Sequence, residues 1–146
     1  LETLHFKIGV VGTHWGKLPE WRICIDQKEI VTGSADQELK YIEFDHAVED
    51  GSHQLSIQLT NKLDSDVQKD SYDDPENFTI VNDMLLHIKS IEVEEIDLTN
   101  VAWNKSQFVP EDSAKPTLKN CVDLGWNGTW CLDFESPLFV WILENL

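Results

Sequence analysis

The chain has 146 residues, 41% of them hydrophobic and 26% charged, a composition that fits one globular domain spanning residues 1–146. Its 27 acidic residues against 11 basic ones leave a formal net charge of −16. Such a field repels phosphate backbones and anionic lipid, so nucleic acid and membranes are excluded as partners, and no apolar run reaches the ~20 residues of a membrane helix. A soluble protein is expected, and its first residues do not read as a secretory leader.

Leu4, Phe6, Ile8 and Val10 alternate with His5, Lys7 and Gly9, the period-two signature of a strand with one buried face. Gly12 and Gly16 bracket a turn. Trp21 to Ile25 and Glu29 to Val31 then read as a hairpin around Asp26-Gln27-Lys28. Tyr41 to Val48 is a further strand, with Ile42, Phe44 and His46 on one side. Glu49-Asp50-Gly51-Ser52 is a turn in which glycine supplies positive φ, and Leu55, Ile57 and Leu59 form the inner side of the next strand.

The apolar pattern stops from Asn61 to Glu76, where six acidic residues stand among polar ones; a loop of that length in a compact domain is usually functional or mobile. Phe78 to Val81 reads as a short edge strand, and Leu85 to Val93 as a stronger one with a bulge near Ser90. Ile96 and Leu98 continue the apolar trace. Asn104 to Asn120, with Pro110 and Pro116, reads as a second long connection. Asn127-Gly128 signals a tight turn, and Trp130, Leu132 and Phe134 alternate as a last strand. Ser136 as N-cap, Pro137 at the first helical position, and Leu138, Trp141, Ile142 and Leu146 at helical spacing predict a short terminal helix. Exposed apolar residues on that helix would mark a contact with another chain. Together these elements predict an all-β antiparallel sandwich of jelly-roll type, with its core in 4–98 and a C-terminal strand and helix in 126–146.

Chemistry-bearing residues are abundant, but few of them form motifs. Cys24, Cys121 and Cys131 have no metal-binding or redox spacing, and a Cys121–Cys131 bridge remains open. The five histidines show no zinc spacing, no serine lies in a nucleophile elbow, and there is no phosphate loop, so no catalytic residue is nominated. The sequons at Asn77, Asn104 and Asn127 carry no weight without a secretory context. A loop rich in Asp and Asn supplies the hard oxygens calcium prefers if they converge, and is merely a solvated acidic loop if they splay; the spacing is not that of an EF-hand. Among the six tryptophans, Trp15, between Gly12 and Gly16 with His14 beside it, is the first candidate for stacking on a sugar ring, and Trp126 the second. Most of the six are expected in the core, Trp21 and Trp130 above all.

Read in order, Pro19 to Asp26, Tyr41 to Phe44, Asp50 to Asn61 with its Gly51-Ser52-His53 turn and Thr60-Asn61 ending, Asn82-Asp83-Met84 to Ile88, and Ile91 to Val93 resemble the calcium-dependent xylan-binding type of carbohydrate-binding module. The resemblance covers about residues 4–98. It implies a jelly-roll sandwich that binds polysaccharide without cleaving it, through calcium held between a loop and the sugar hydroxyls. It assigns Asn61, Asn82 and Asp83 to the acidic-loop pattern, with Asp64 a looser match. The loop here is longer and more acidic than in that family, and no Arg-Asn follows Asp83. The tail from Gly125 to Leu146 is similar instead to the ending of uncharacterised proteins of marine tailed bacteriophages. That likeness implies a virion-associated structural or assembly protein that forms a homo-oligomer, or meets another phage protein, through its aromatic C-terminal segment.

Overall fold

A computed structural model describes residues 1–145. The first five strands are β1 (Glu2–Thr13), β2 (Glu20–Ile25), β3 (Lys28–Ser34), β4 (Lys40–Val48) and β5 (Gly51–Leu59). A 3-10 turn at Asp64–Asp66 and the short pair β6 (Gln68–Lys69) and β7 (Ile80–Asn82) follow. Next come β8 (Leu85–Val93), β9 (Ile96–Asp97), the helix α1 (Thr99–Lys105) and β10 (Gln107–Pro110). The chain ends with β11 (Leu118–Lys119), β12 (Asp123–Leu124), β13 (Gly128–Ser136) and α2 (Leu138–Glu144).

These strands build two antiparallel sheets, one in the order β12-β8-β1-β4 with β9 attached to β8, the other β11-β10-β13-β5-β2-β3. Alternation decides which faces meet. Leu4, Phe6, Ile8 and Val10 of β1 are buried, as are Leu55, Ile57 and Leu59 of β5 and Trp130, Leu132 and Phe134 of β13. The Phe6 ring stacks on Phe44 across the β1–β4 pair at 5.0 Å and meets Phe134 of the opposite sheet edge-on at 6.1 Å. The protein is therefore an antiparallel β-sandwich, with each fully buried large apolar side chain worth about 1.5–3 kcal/mol.

Several local expectations are met for the reasons given. The β1–β8 register shifts between Gly9 and Val10, opposite Ser90 and Ile88, so the bulge lies where the apolar phase of β8 changes. Gly51 has φ of 121°, a conformation costly to a side chain. The hairpin from β2 to β3 turns on Asp26 and Gln27, both with positive φ, although neither is glycine. Asp26 offsets that strain because its carboxylate accepts from the Gln54 N–H at 2.9 Å and from His53 Nδ1 at 2.7 Å.

Other expectations are corrected. The 61–76 stretch is not featureless, since its apolar Val67 and the Asp66 cap close a 3-10 turn, and β7 starts at Ile80 and pairs with β6 rather than with a main sheet. The 104–120 connection contains β10, a strand of the six-stranded sheet in which Phe108 and Pro110 are buried; its four residues were too few for alternation to stand out. The helix α1, with one buried residue, Ala102, gives no apolar stripe to read. Gly128 makes no tight turn: it lies in β13, where an added Cβ would come within 2.6 Å of the Val109 carbonyl oxygen. Ser136 does not cap α2. Its hydroxyl donates to Glu2 Oε2 at 2.5 Å, and the same oxygen accepts from the Leu138 N–H at 3.1 Å, so a carboxylate from β1 caps the helix. Trp141 packs inward against Phe134, which leaves Phe139, Val140 and Leu143 exposed; Leu146 lies outside the described residues. Cys24, Cys121 and Cys131 are all free thiols.

The β4–β5 turn depends on a charged imidazole. His53 Nδ1 faces Asp26 Oδ2 at 2.7 Å and Nε2 faces the Glu49 carbonyl at 2.5 Å, so only the doubly protonated ring donates to both. Burial alone would lower the His53 pKa, but the Asp26 carboxylate and Glu49 carbonyl outweigh it and hold the group above 6.5. Stability from this contact is whole below pH 6.5 and is lost as pH rises through the raised value. Thermal midpoints of wild type and His53→Gln are expected to differ most below pH 6.5 and to converge above it. A gap that stays constant with pH would show that the ring is not charged in the fold.

Candidate functional site

At one end of the sandwich the long acidic loop and the 111–127 segment face each other across a cleft of about 980 Å³, within the usual range of a ligand site. Four aromatic residues line it: Phe108, fully buried at its base, and Tyr72, Phe78 and Trp126. Tyr72 is 71% exposed and Phe78 37%, so their rings are open to a ligand. Carboxylates surround them, including Asp64, Asp83, Glu111 and Asp112. Lys69 Nζ rests 4.2 Å from the centre of the Phe78 ring and Lys115 Nζ 4.7 Å from that of Trp126, orienting both rings by cation–π attraction.

Lys62 ties the two sides together. Its ammonium donates to Asp83 Oδ1 at 2.6 Å and to the Gly125 carbonyl at 2.5 Å, with its side chain 11% exposed. The Lys62 backbone is clamped by the Asn127 amide, whose Oδ1 accepts the Lys62 N–H at 2.8 Å while its Nδ2 donates to the Lys62 carbonyl at 2.9 Å. Asp83 Oδ1 also accepts the Met84 N–H at 2.7 Å. Residues 62, 83, 125 and 127 thus form one hydrogen-bonded knot joining both ends of the acidic loop to the segment before β13.

The residues singled out from sequence divide accordingly. Asp64, Asp83 and Trp126 line the cleft. Asn61 does not: its Oδ1 accepts from the Glu20 N–H at 2.8 Å and its Nδ2 donates to the Leu18 carbonyl at 2.9 Å, fastening β2 to the end of β5. The Asn82 side chain donates to Gln68 Oε1 across the β6–β7 pair. Trp15 is 40% exposed on the turn before β2 and is not among the residues lining the cleft, although Lys17 of that turn pairs with Asp66 at 3.3 Å. His14 Nδ1, beside it, is buried with no hydrogen-bond partner among the described residues. Tyr72 and Phe78 were not singled out; the available signal was two aromatics inside an otherwise polar, acidic stretch.

Calcium requires six to eight oxygens converging on one point. Among the described residues no three His, Cys, Asp or Glu side chains gather closely enough to hold a metal together. Asn61 Oδ1 and Asp83 Oδ1 are already engaged by protein donors, the Asn82 amide is tied to Gln68, and Asn61 lies outside the cleft that Asp64 and Asp83 line, so as arranged the four do not converge on one ion. A second depression of about 610 Å³, lined by Asp26, His53, Asp133, Glu135 and Trp141, offers little ring face because Trp141 is buried.

No family model matches the sequence, and no curated protein matches it. Among solved structures the fold is shared by vCBM60 in complex with galactobiose, at a TM-score of 0.57 and 11% identity over 88% of this chain and 96% of that one. The selenomethionine form of vCBM60 gives the same TM-score and identity, covering 88% of this chain and 89% of its own. Its description places it in an evolutionary link by circular permutation between two families of calcium-dependent carbohydrate-binding modules. At this identity the likeness establishes the fold: an antiparallel β-sandwich of the kind found in carbohydrate-binding modules.

The clamp has a direct test. Asn127→Ala removes two hydrogen bonds and strands the Lys62 backbone groups, and we expect a loss of about 1–3 kcal/mol in urea unfolding with the far-ultraviolet spectrum unchanged. A variant as stable as wild type would show that the two segments are held by something else.

Proposed function

We propose that this protein is a non-catalytic carbohydrate-binding sandwich whose ligand, a polysaccharide or glycan chain, lies in the cleft between the acidic loop and the segment before β13. The observation that carries this reading is the presentation of Tyr72, Phe78 and Trp126 in one cleft beside several carboxylates. Aromatic faces attract the C–H faces of pyranose rings, and carboxylates accept hydrogen bonds from the hydroxyls at their edges. The shared fold with vCBM60 in complex with galactobiose supports the same reading. Trp15 and His14, outside the cleft, are secondary candidates that would extend the surface along a longer chain.

A second reading, a phage structural or assembly protein that self-associates through its C-terminal helix, draws on the exposed Phe139, Val140 and Leu143. It is compatible with the first.

Affinity electrophoresis or calorimetry with xylan, galactan and galactobiose tests the binding role. Trp126→Ala and Tyr72→Ala are each expected to weaken binding by about tenfold or more, roughly the 1.4 kcal/mol that one stacked ring supplies. Trp15→Ala is expected to cost less. Full binding by the double variant would move the site out of this cleft.

A further inference from the structure

We propose that Lys62 is the built-in cation of this cleft, so that the site keeps its shape and takes its ligand without a divalent metal. The inference rests on the reading of the cleft as a glycan site and names what organises it.

Three observations converge on this residue. First, Lys62 lies between Asn61 and Asp64, among the residues whose resemblance to a calcium-dependent module marks them as metal ligands, and Asp83 of that set is its ion-pair partner at 2.6 Å. The charge of that carboxylate is thus already balanced, through its Oδ1, by an ammonium. Second, the geometry suits an ammonium and not calcium. An ammonium has three N–H donors and needs only a few acceptors, whereas calcium needs six to eight oxygens. The Asp83 carboxylate and Gly125 carbonyl receive two of those donors at 2.6 and 2.5 Å. Third, Lys62 is little exposed yet lines the cleft, so its third donor is available to a sugar hydroxyl. A fixed charge on a tether also costs no capture from solution, and its position does not vary with the calcium of the surroundings.

The neighbouring acceptors are committed in the same sense. Asp83 Oδ1 takes the Met84 N–H as well as Lys62, and Asn127 Oδ1 takes the Lys62 N–H. Recruiting these oxygens to a metal would break both the ion pair and the backbone clamp. A divalent ion placed beside the ammonium would also be repelled by it.

The test uses the whole chain and needs no glycan for its first part. Calorimetric titration of wild type with calcium chloride is expected to give no saturable heat, and the thermal midpoint is expected to be the same in calcium and in excess EDTA. Lys62→Met, which keeps the aliphatic stem, is expected to lower the midpoint by about 4 °C or more in both buffers, with no recovery on adding calcium. Asp83→Asn, which keeps an acceptor but not the charge, is expected to lower it less. Saturable calcium binding by wild type, a midpoint that falls on chelation, or a Lys62→Met protein as stable as wild type would each overturn the proposal. Glycan retention on wild type is then compared in calcium and EDTA. Equal retention in both buffers supports metal-independent binding, and loss on chelation refutes it. Absence of binding in both buffers would count against the glycan reading, while the melting and calcium results still decide the role of Lys62.

Discussion

The site depends on an ammonium drawn out of water and held by a carboxylate and a carbonyl from two distant parts of the chain. A lysine that is 11% exposed is stable there only because Asp83 and Gly125 replace the water it gives up. Losing Asp83 would leave the ammonium without a counter-charge and losing the Gly125 carbonyl would leave one of its donors unmet, which makes the contact specific: the acidic loop must begin at residue 62, end at 83 and meet residue 125 for all three to be satisfied. The reciprocal bonds between Asn127 and the Lys62 backbone extend that requirement to the start of β13, which lies between β10 and β5. The cleft is in this way tied to the central strands of the six-stranded sheet, and the exposed aromatics stand on a rigid base.

The sandwich itself follows from side-chain alternation. β1, β5 and β13 are nine residues or longer, and each buries alternate side chains, so their positions and inner faces are plain from sequence. Elements of two to four residues escape such reading because two or three side chains cannot establish a period; β6, β10, β11 and β12 are of this kind. The helix α1 escapes for another reason, since it packs through the adjacent Val101 and Ala102 and shows no apolar stripe. Gly128 shows how a turn dipeptide misleads: the glycine is there for close approach of β10 and not for positive φ.

The site was legible as a set of residue types and not as an arrangement. An acidic loop and surplus tryptophans pointed to glycan chemistry, and Asp64, Asp83 and Trp126 do come to one cleft. Asn61 and Asn82 carry the same kind of side chain but spend it on neighbouring elements, which no local pattern discloses. Lys62 carries no local signal at all, because its side-chain partner lies 21 positions away. Long-range pairing is where sequence reasoning is weakest, and the knot consists entirely of it.

Residue-resolved mapping of a titrated oligosaccharide tests most directly whether this knotted cleft is a glycan site. In a proton–nitrogen correlation spectrum titrated with galactobiose or a xylo-oligosaccharide, the expected shifts cluster at Leu63, Lys69, Tyr72, Phe78 and Trp126. Shifts confined to the outer face of the six-stranded sheet, at residues such as Gln54, Gln58 and Thr129, would contradict it.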